Sequence, residues 1–297
     1  MEGQRKLNKK AWSWALYDWA NSGFATTVMA GFFPIFFKSF WATDLESAQS
    51  TFVIGSVNSL VGLLIAISAP ILGAFADVGR SKKRFLFAFA ILGVLATGYL
   101  FFIPESSWRI AVFFYALGVI GFSGSNIFYD SLIVTVSKPS DRNRVSSLGF
   151  SLGYLGGGIL FGLNVMMYMN PGWFGLTSAT EAILWSFLTV SVWWLIFSIP
   201  IFLNVKEQKD TDEPIPNGSL IAGAFKNLYQ TALSIRKYKS AVIFLFAYFL
   251  YMDGVDTIIR MATSYGSDIG LTAGSMIGAL LLTQFIGFPA TLIFGIY

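Results

Sequence analysis

Hydrophobic residues occur along this chain in eight long stretches, separated by shorter polar segments. An α-helix needs about 20 apolar residues to cross the hydrocarbon core of a bilayer. Each stretch comes close to that length or exceeds it, so the pattern predicts eight membrane-spanning helices and an all-α membrane protein. The predicted spans are Trp12–Phe37, Thr51–Ala76, Phe85–Ile103, Trp108–Val136, Val145–Met169, Glu181–Leu203, Ala241–Tyr265 and Leu271–Tyr297.

The Lys and Arg residues are distributed unequally between the polar segments. Four precede the first span, four follow the second, three follow the fourth, and six lie between the sixth and seventh, which is 17 of the 20. Lys and Arg accumulate in cytoplasmic loops of membrane proteins. The distribution therefore predicts a multi-pass protein of the plasma membrane, most simply a bacterial inner membrane, with a cytoplasmic amino terminus.

Composition supports a lipid-solvated chain. Hydrophobic residues make up 55% and charged residues only 12%, whereas about 25% of a soluble domain is charged. This excludes a soluble enzyme, and the net charge of +4 is explained by the cytoplasmic loops without a nucleic-acid partner. Because Cys and His are both absent, thiol chemistry, zinc sites and histidine acid–base catalysis are excluded. We expect no cofactor and no metal.

One long hydrophilic segment, which begins at Val205, divides the spans into six and two. It contains Pro214 and Pro216, which interrupt regular structure. After them, Leu220–Tyr238 has the spacing of a basic amphipathic helix lying along the membrane interface. We therefore predict a six-helix bundle over residues 1–204, a cytoplasmic linker over 205–240 and a partial second bundle over 241–297.

Weak internal similarity links the two parts. Pro70 and Pro289 each precede a helix end rich in small residues, and Asp18 and Asp253 each lie early in a span after a tyrosine. Such repeats are typical of transporters built from two homologous halves. They predict that the chain is a C-terminally truncated fragment of a twelve-span protein, although eight complete spans remain an alternative.

The ionisable and polar residues inside the spans are the candidate functional residues. A charge inside a bilayer costs several kcal/mol, so such residues usually line a pathway or are paired. Helical spacing places them in three stripes, on the first, fourth and seventh spans, which we expect to converge on a solute or ion pathway. The pathway residues are Asp18, Asn21, Ser22, Asn126, Asp130, Asp253, Asp256, Thr257 and Arg260.

Two simpler interpretations apply to these residues. Each acid could lie at headgroup depth near a helix end, or form one half of a structural salt bridge, as the spacing of Asp256 and Arg260 allows. If the stripes do line a pathway, the lack of histidine leaves the carboxylates to bind a coupling proton or cation.

Glycines are concentrated in the fifth span. Several pairs are four residues apart, which lets another helix approach closely. Static helix packing is the preferred interpretation, and sliding between conformations is the alternative. The glycines are Gly149, Gly153, Gly156, Gly157, Gly158 and Gly162.

The loop after the second span resembles the cytoplasmic loop signature of the major facilitator superfamily. It combines two glycines, an acid and a basic run between the second and third spans. The resemblance implies a major-facilitator-type bundle, with a six-helix N-terminal half followed by the first two helices of the C-terminal half. It also implies a conformational latch made by Gly73, Asp77, Gly79, Arg80, Lys82 and Lys83.

Three further segments resemble the vacuole-effluxer-like family within that superfamily, which includes fungal vacuolar amino-acid effluxers and bacterial relatives. The segments are Tyr17–Ser22, Arg144–Gly158 and Tyr251–Thr257. The resemblance implies a monomeric secondary transporter that moves small polar solutes, amino acids among them, by alternating access.

Two alternatives are a non-transporting nutrient sensor and an intramembrane aspartyl protease. The protease would use the Tyr-Asp pairs at Asp18 and Asp130, since two carboxylates can share one proton.

Overall fold

A computed structural model describes residues 7–78, 81–207, 229–230 and 233–295, with only the backbone at 77 and 78. Over these residues the chain forms eight long helices and no strand, which confirms the all-α fold. All eight are long and apolar enough to span a membrane. The helices are α1 (Lys9–Trp41), α2 (Ser47–Val78), α3 (Lys82–Tyr99), α4 (Trp108–Ser131), α5 (Arg142–Met169), α6 (Ala179–Asn204), α7 (Lys239–Asp268) and α8 (Ala273–Phe294).

The predicted boundaries were wrong by a few residues, chiefly because helices continue into polar turns that hydrophobicity does not mark. Asn8 caps α1 by accepting a hydrogen bond from the Ala11 amide at 2.8 Å. Ser178 caps α6 in the same way, accepting from the Glu181 amide at 3.1 Å. Such side-chain caps satisfy amides that a helix start leaves unpaired, so helices begin before their apolar stretch.

Consecutive helices run in opposite directions and define two ends of the bundle. At the basic end, where α1, α3, α5 and α7 begin, Asn204 donates to Ser13 at 3.0 Å. At the opposite end, Trp41 donates to the carbonyl of Ile103 at 3.2 Å. Because of this alternation, the distance of a polar residue from the basic end can be read from its position in its helix.

Helix α1 is the most enclosed of the described helices. In its most apolar 18-residue segment 72% of residues are buried, compared with none in the equivalent segment of α7. Aromatic rings fill the space around it, and Phe33 stacks on Tyr115 of α4 with ring centroids 3.9 Å apart. Asn21, Thr26 and Thr27 of α1 are accordingly buried among the other helices.

Helix α1 also changes its hydrogen-bonding pattern part-way along. Phe24–Phe32 is π-helical, between α-helical segments, and Phe37–Trp41 is π-helical again. Short π-helical insertions are rare and occur frequently at functional sites. The change alters which residues share a face beyond Phe24, so α-helical spacing does not extend through the whole of α1.

The last two helices pack against the first six in different ways. Helix α8 lies along α5, where Ser151 and Thr291 share a hydrogen bond at 2.7 Å. Helix α7 contacts α1 and α2 near the opposite end, where Thr263 donates to the buried carbonyl of Ala30 at 2.7 Å. Towards the basic end, residues 241–252 of α7 are exposed.

Most of the segment predicted as an amphipathic helix, Leu220–Tyr238, lies outside the described residues. Its described part is helical at Tyr229 and Gln230 and at residues 233–235, and turns at Arg236 and Lys237. The predicted end at Tyr238 was therefore three residues too late.

Candidate functional site

Asp18 lies half-buried in the interior of the bundle, on the face of α1 that packs against α5. Ser22, one turn later, is within 3.5 Å of its carboxylate. Gly153 of α5 faces both side chains, and a Cβ added there would lie 2.7 Å from the Ser22 hydroxyl oxygen and 3.1 Å from the Asp18 carboxyl carbon. The glycine thus leaves the space that this carboxylate occupies.

Asn21 joins α1 to α4. Its amide nitrogen donates to Oδ1 of Asn126 at 2.6 Å. Asn21 is almost fully buried, and its own Oδ1 has no partner among the described residues. Because a buried amide oxygen is normally hydrogen-bonded, this atom can accept a hydrogen bond from a water molecule or a solute.

Asp130, near the end of α4, adds a second carboxylate to this region. It lies one turn after Asn126 on α4 and is exposed on the protein surface. We call Asp18, Asn21, Ser22, Asn126 and Asp130 the α1–α4 polar group.

Tyr129 and Trp14 support the α1–α4 polar group, whereas the sequence analysis considered Tyr129 only as part of the Tyr-Asp pair at Asp130. Trp14 donates from its indole nitrogen to the carbonyl of Tyr129 at 2.8 Å, and their rings stack 4.3 Å apart. The Tyr129 hydroxyl is buried without a hydrogen-bond partner among the described residues. Only its position next to Asp130 could have indicated a role.

The polar residues of α7 lie at a different depth. From the rise per residue, Arg260 is about 30 Å from the basic end along α7, whereas Asp18 is about 14 Å along α1. Arg260 donates to Asp256 at 3.1 Å, and the Arg260 side chain is 14% exposed whereas that of Asp256 is 54% exposed. Asp253 and Thr257 are exposed as well.

Tyr115 and Asn58 form a polar contact that the sequence analysis missed. The Tyr115 hydroxyl on α4 donates to Oδ1 of Asn58 on α2 at 3.1 Å. Asn58 lies between Ser56 and Ser59 in an otherwise apolar stretch, and its amide was the one available signal. The structure therefore brings the predicted stripes of α1 and α4 together, and places the α7 stripe nearer the opposite end.

Four of the six glycines of α5 face α1. A Cβ would meet Trp14 from Gly149, Ser22 from Gly153, Trp19 from Gly156 and Thr26 from Gly157, each at 2.7–2.9 Å. Gly158 instead faces Gln284 of α8 at 2.9 Å, and Gly162 has only an ordinary contact, 3.8 Å from Leu281.

The residues of the family-derived latch are only partly described. Gly79 and Arg80, and the side chain of Asp77, lie outside the described residues, and Gly73 faces open space. Lys83 donates to the carbonyls of Phe202 and Val205 at the end of α6. Its amide also donates to Glu207 at 2.6 Å. The Lys83 contacts therefore connect the start of α3 to the end of α6 and to Glu207, which follows α6.

A mostly apolar cavity of about 450 Å³ opens at the basic end between α1, α5 and α8. It lies apart from both polar regions. Its lining residues are Leu7, Trp12, Arg144, Ser147, Leu148, Leu292 and Gly295.

The sequence matches the family described as "Vacuole effluxer Atg22 like" over residues 45–135 and 134–297. The chain belongs to this family of major facilitator transporters. Among its relatives, the Bacillus subtilis protein described as "Uncharacterized MFS-type transporter YxiO" is 38% identical over 98% of this chain and 68% of its own length.

Fungal members of the vacuole-effluxer-like family are more distant. Autophagy-related protein 22 of Yarrowia lipolytica is 23% identical over 76% of this chain and 50% of its own length. Autophagy-related protein 22 of Coccidioides immitis is 22% identical over 78% of this chain and 47% of its own length. The chain thus spans about half the length of these fungal relatives. Because the family is one of transporters, a multi-pass membrane protein is confirmed and the aspartyl protease alternative is wrong.

Proposed function

We propose that this protein is a secondary active transporter of small polar solutes, with amino acids as the leading substrate class, working by alternating access. The observation that carries the proposal is the placement of Asp18, Asn21 and Asn126 inside an apolar helix bundle. Ionisable and polar groups are costly there and mark solute and ion pathways. The descriptions of the relatives, a vacuole effluxer family and a transporter, point in the same direction.

A zwitterionic solute suits the charges of the two polar regions. Arg260 is the more enclosed partner of its ion pair, and a guanidinium binds carboxylates with paired hydrogen bonds. A solute carboxylate would replace Asp256 on Arg260, which frees Asp256 to bind the solute's ammonium group. Asp18 and Asp130, which lie nearer the basic end than Arg260 does, would bind the coupling proton or cation.

The proposal includes an arrangement in the membrane. Residues 1–204 and 241–297 belong to the two bundles that move against each other, and 205–240 connects them. The basic end faces the cytoplasm because Lys and Arg accumulate there, and the protein acts as a monomer in the plasma membrane.

The test is flux of radiolabelled amino acids into proteoliposomes that contain the full-length chain. Arg260→Gln is expected to raise KM about tenfold or more, because losing a charge-assisted hydrogen bond costs about 1.5–3 kcal/mol, and Arg260→Lys to raise it less. Arg109→Gln is the control, because Arg109 is exposed beside Trp108 and its loss should leave KM unchanged. If no amino acid, peptide or sugar moves faster than in empty vesicles, the proposal is wrong, and binding without flux would indicate a sensor.

A further inference from the structure

The end of α7 is attached to the first six helices by a cluster of polar contacts at the opposite end of the bundle. Asp268, the last residue of α7, accepts hydrogen bonds from Lys38 of α1 at 2.7 Å, Ser47 of α2 at 2.7 Å and Thr51 of α2 at 2.8 Å. Both carboxylate oxygens are used. A single carboxylate thus binds the ends of two other helices.

Ser264, one turn earlier in α7, repeats these contacts. Its carbonyl accepts a hydrogen bond from the Lys38 ammonium at 3.2 Å, and its hydroxyl shares a hydrogen bond with Thr51 at 3.1 Å. The Lys38 side chain is 11% exposed and that of Asp268 is 29% exposed. Hydrogen bonds to charged groups are among the stronger ones, and partial burial limits their screening by salt.

The Lys38–Asp268 ion pair differs from the Arg260–Asp256 ion pair of α7 in what its formation requires. Arg260 and Asp256 are four residues apart in the same helix, so their pairing does not depend on how the helices are arranged. Lys38 and Asp268 are 230 positions apart, so their pair exists only while α7 is docked on α1 and α2.

The segment of α1 beneath Lys38 departs from regular α-helical geometry. It contains the π-helical turns Phe24–Phe32 and Phe37–Trp41, with Pro34 between them. Proline and π-helical turns are places where helices bend. Near this segment α7 makes the polar contacts of Lys38, Ser47 and Thr51, which water could replace, together with the buried Thr263–Ala30 bond and the packing of Met261 against the hydrophobic core.

We propose that Lys38 and Asp268, with Ser47, Thr51 and Ser264, form a reversible gate latch that closes the non-cytoplasmic end of the solute pathway. The latch is closed in the state described and opens when α7 separates from α1 and α2. This inference rests on the proposed alternating-access function, and its first test is independent of transport.

The first test measures access to a cysteine behind the latch. Gly55→Cys supplies one position, because Gly55 lies one turn below Thr51 and its Cβ would be 3.6 Å from Met261 of α7. The chain has no natural cysteine, so labelling by a membrane-impermeant maleimide reports on this position alone. Lys38→Met or Asp268→Asn is expected to increase the labelling rate several-fold, and Lys38→Asp combined with Asp268→Lys to restore the slow rate. Unchanged labelling in both single variants would overturn the latch, even if the chain does not transport.

The second test locks the gate covalently. Thr51→Cys with Ser264→Cys places two sulfurs where the hydroxyl oxygens are 3.1 Å apart, within reach of a disulfide. Oxidation is expected to abolish flux, and reduction to restore it. Thr43→Cys with Ser106→Cys is the matched control, because those hydroxyls are 2.8 Å apart at the same end but both lie in turns that connect the first six helices. Undiminished flux through the oxidised Thr51–Ser264 variant would overturn the latch, whereas no flux in the parent chain would overturn the proposed function instead.

Discussion

The side-chain amide of Asn21 on α1 donates to Oδ1 of Asn126 on α4 at 2.6 Å, within the α1–α4 polar group. Polar pairs of this kind join helices in membranes. We expect Asn21→Ala and Asn126→Ala each to destabilise the protein, and a double-mutant cycle to give a coupling of about 0.6–1.7 kcal/mol. Unfolding in mixed micelles measures it.

The control for this cycle pairs Asn21→Ala with Ser178→Ala. Ser178 caps α6 at the opposite end, and distant substitutions add without coupling. A coupling between Asn21 and Asn126 no larger than that of the control pair would show that the hydrogen bond does not join the helices.

The close approach of α1 to α5 leads to a prediction about two glycines of one helix. A Cβ at Gly156 would lie 2.7 Å from the Trp19 ring and 2.8 Å from the Trp19 carbonyl oxygen, and backbone cannot easily move away. Gly156→Ala should therefore destabilise the protein by about 1–3 kcal/mol. Thermal unfolding in detergent, with Gly162→Ala as the matched control, tests this.

Gly162 is an informative control because its added Cβ would make only an ordinary contact, 3.8 Å from Leu281. Both substitutions gain the same helix propensity, about 1 kcal/mol. Equal melting temperatures for the two variants would argue against tight packing of α1 on Gly156.

The spans, and the polar residues that share one face of α1 and one face of α4, could be predicted from sequence because both depend on local spacing. Apolar runs of sufficient length identify spans, and residues three or four apart share a helix face. Asn21 and Asn126 are on such faces. Spacing does not show which neighbour a face meets, and it fails where α1 becomes π-helical at Phe24.

The contacts at the helix ends could not be predicted in this way. Lys38 and Asp268 are polar residues at the ends of spans, where charges are common at headgroup depth. Their pairing depends on the docking of helices separated by more than 200 residues. Tyr115 and Asn58 were missed for a similar reason, since their hydrogen bond joins α4 to α2 and sequence spacing does not pair these helices.

Asp18 is the carboxylate that the structure places deepest between α1 and α5. If it binds the coupling ion, Asp18→Asn should abolish gradient-driven accumulation while leaving exchange of solute across the membrane, because exchange needs no net ion movement. Accumulation and counterflow in proteoliposomes distinguish the two. Asp44→Asn is the control, since Asp44 is exposed in the turn after α1, and both activities should persist there. Accumulation retained by Asp18→Asn would assign the coupling ion to another residue.

Variants of Lys83 can distinguish a structural role for this residue from the latch role that the family resemblance implies. Its ammonium group binds the carbonyls of Phe202 and Val205 at the carboxyl end of α6, where a cation is favoured by the helix dipole. We expect Lys83→Met to lower the free energy of unfolding by about 1 kcal/mol, and Lys83→Arg to lower it less. The exposed Lys10 provides the control variant Lys10→Met, which should match the parent. If Lys83→Met instead leaves stability unchanged and slows only transport, Lys83 acts in the conformational cycle and its contacts with α6 are incidental.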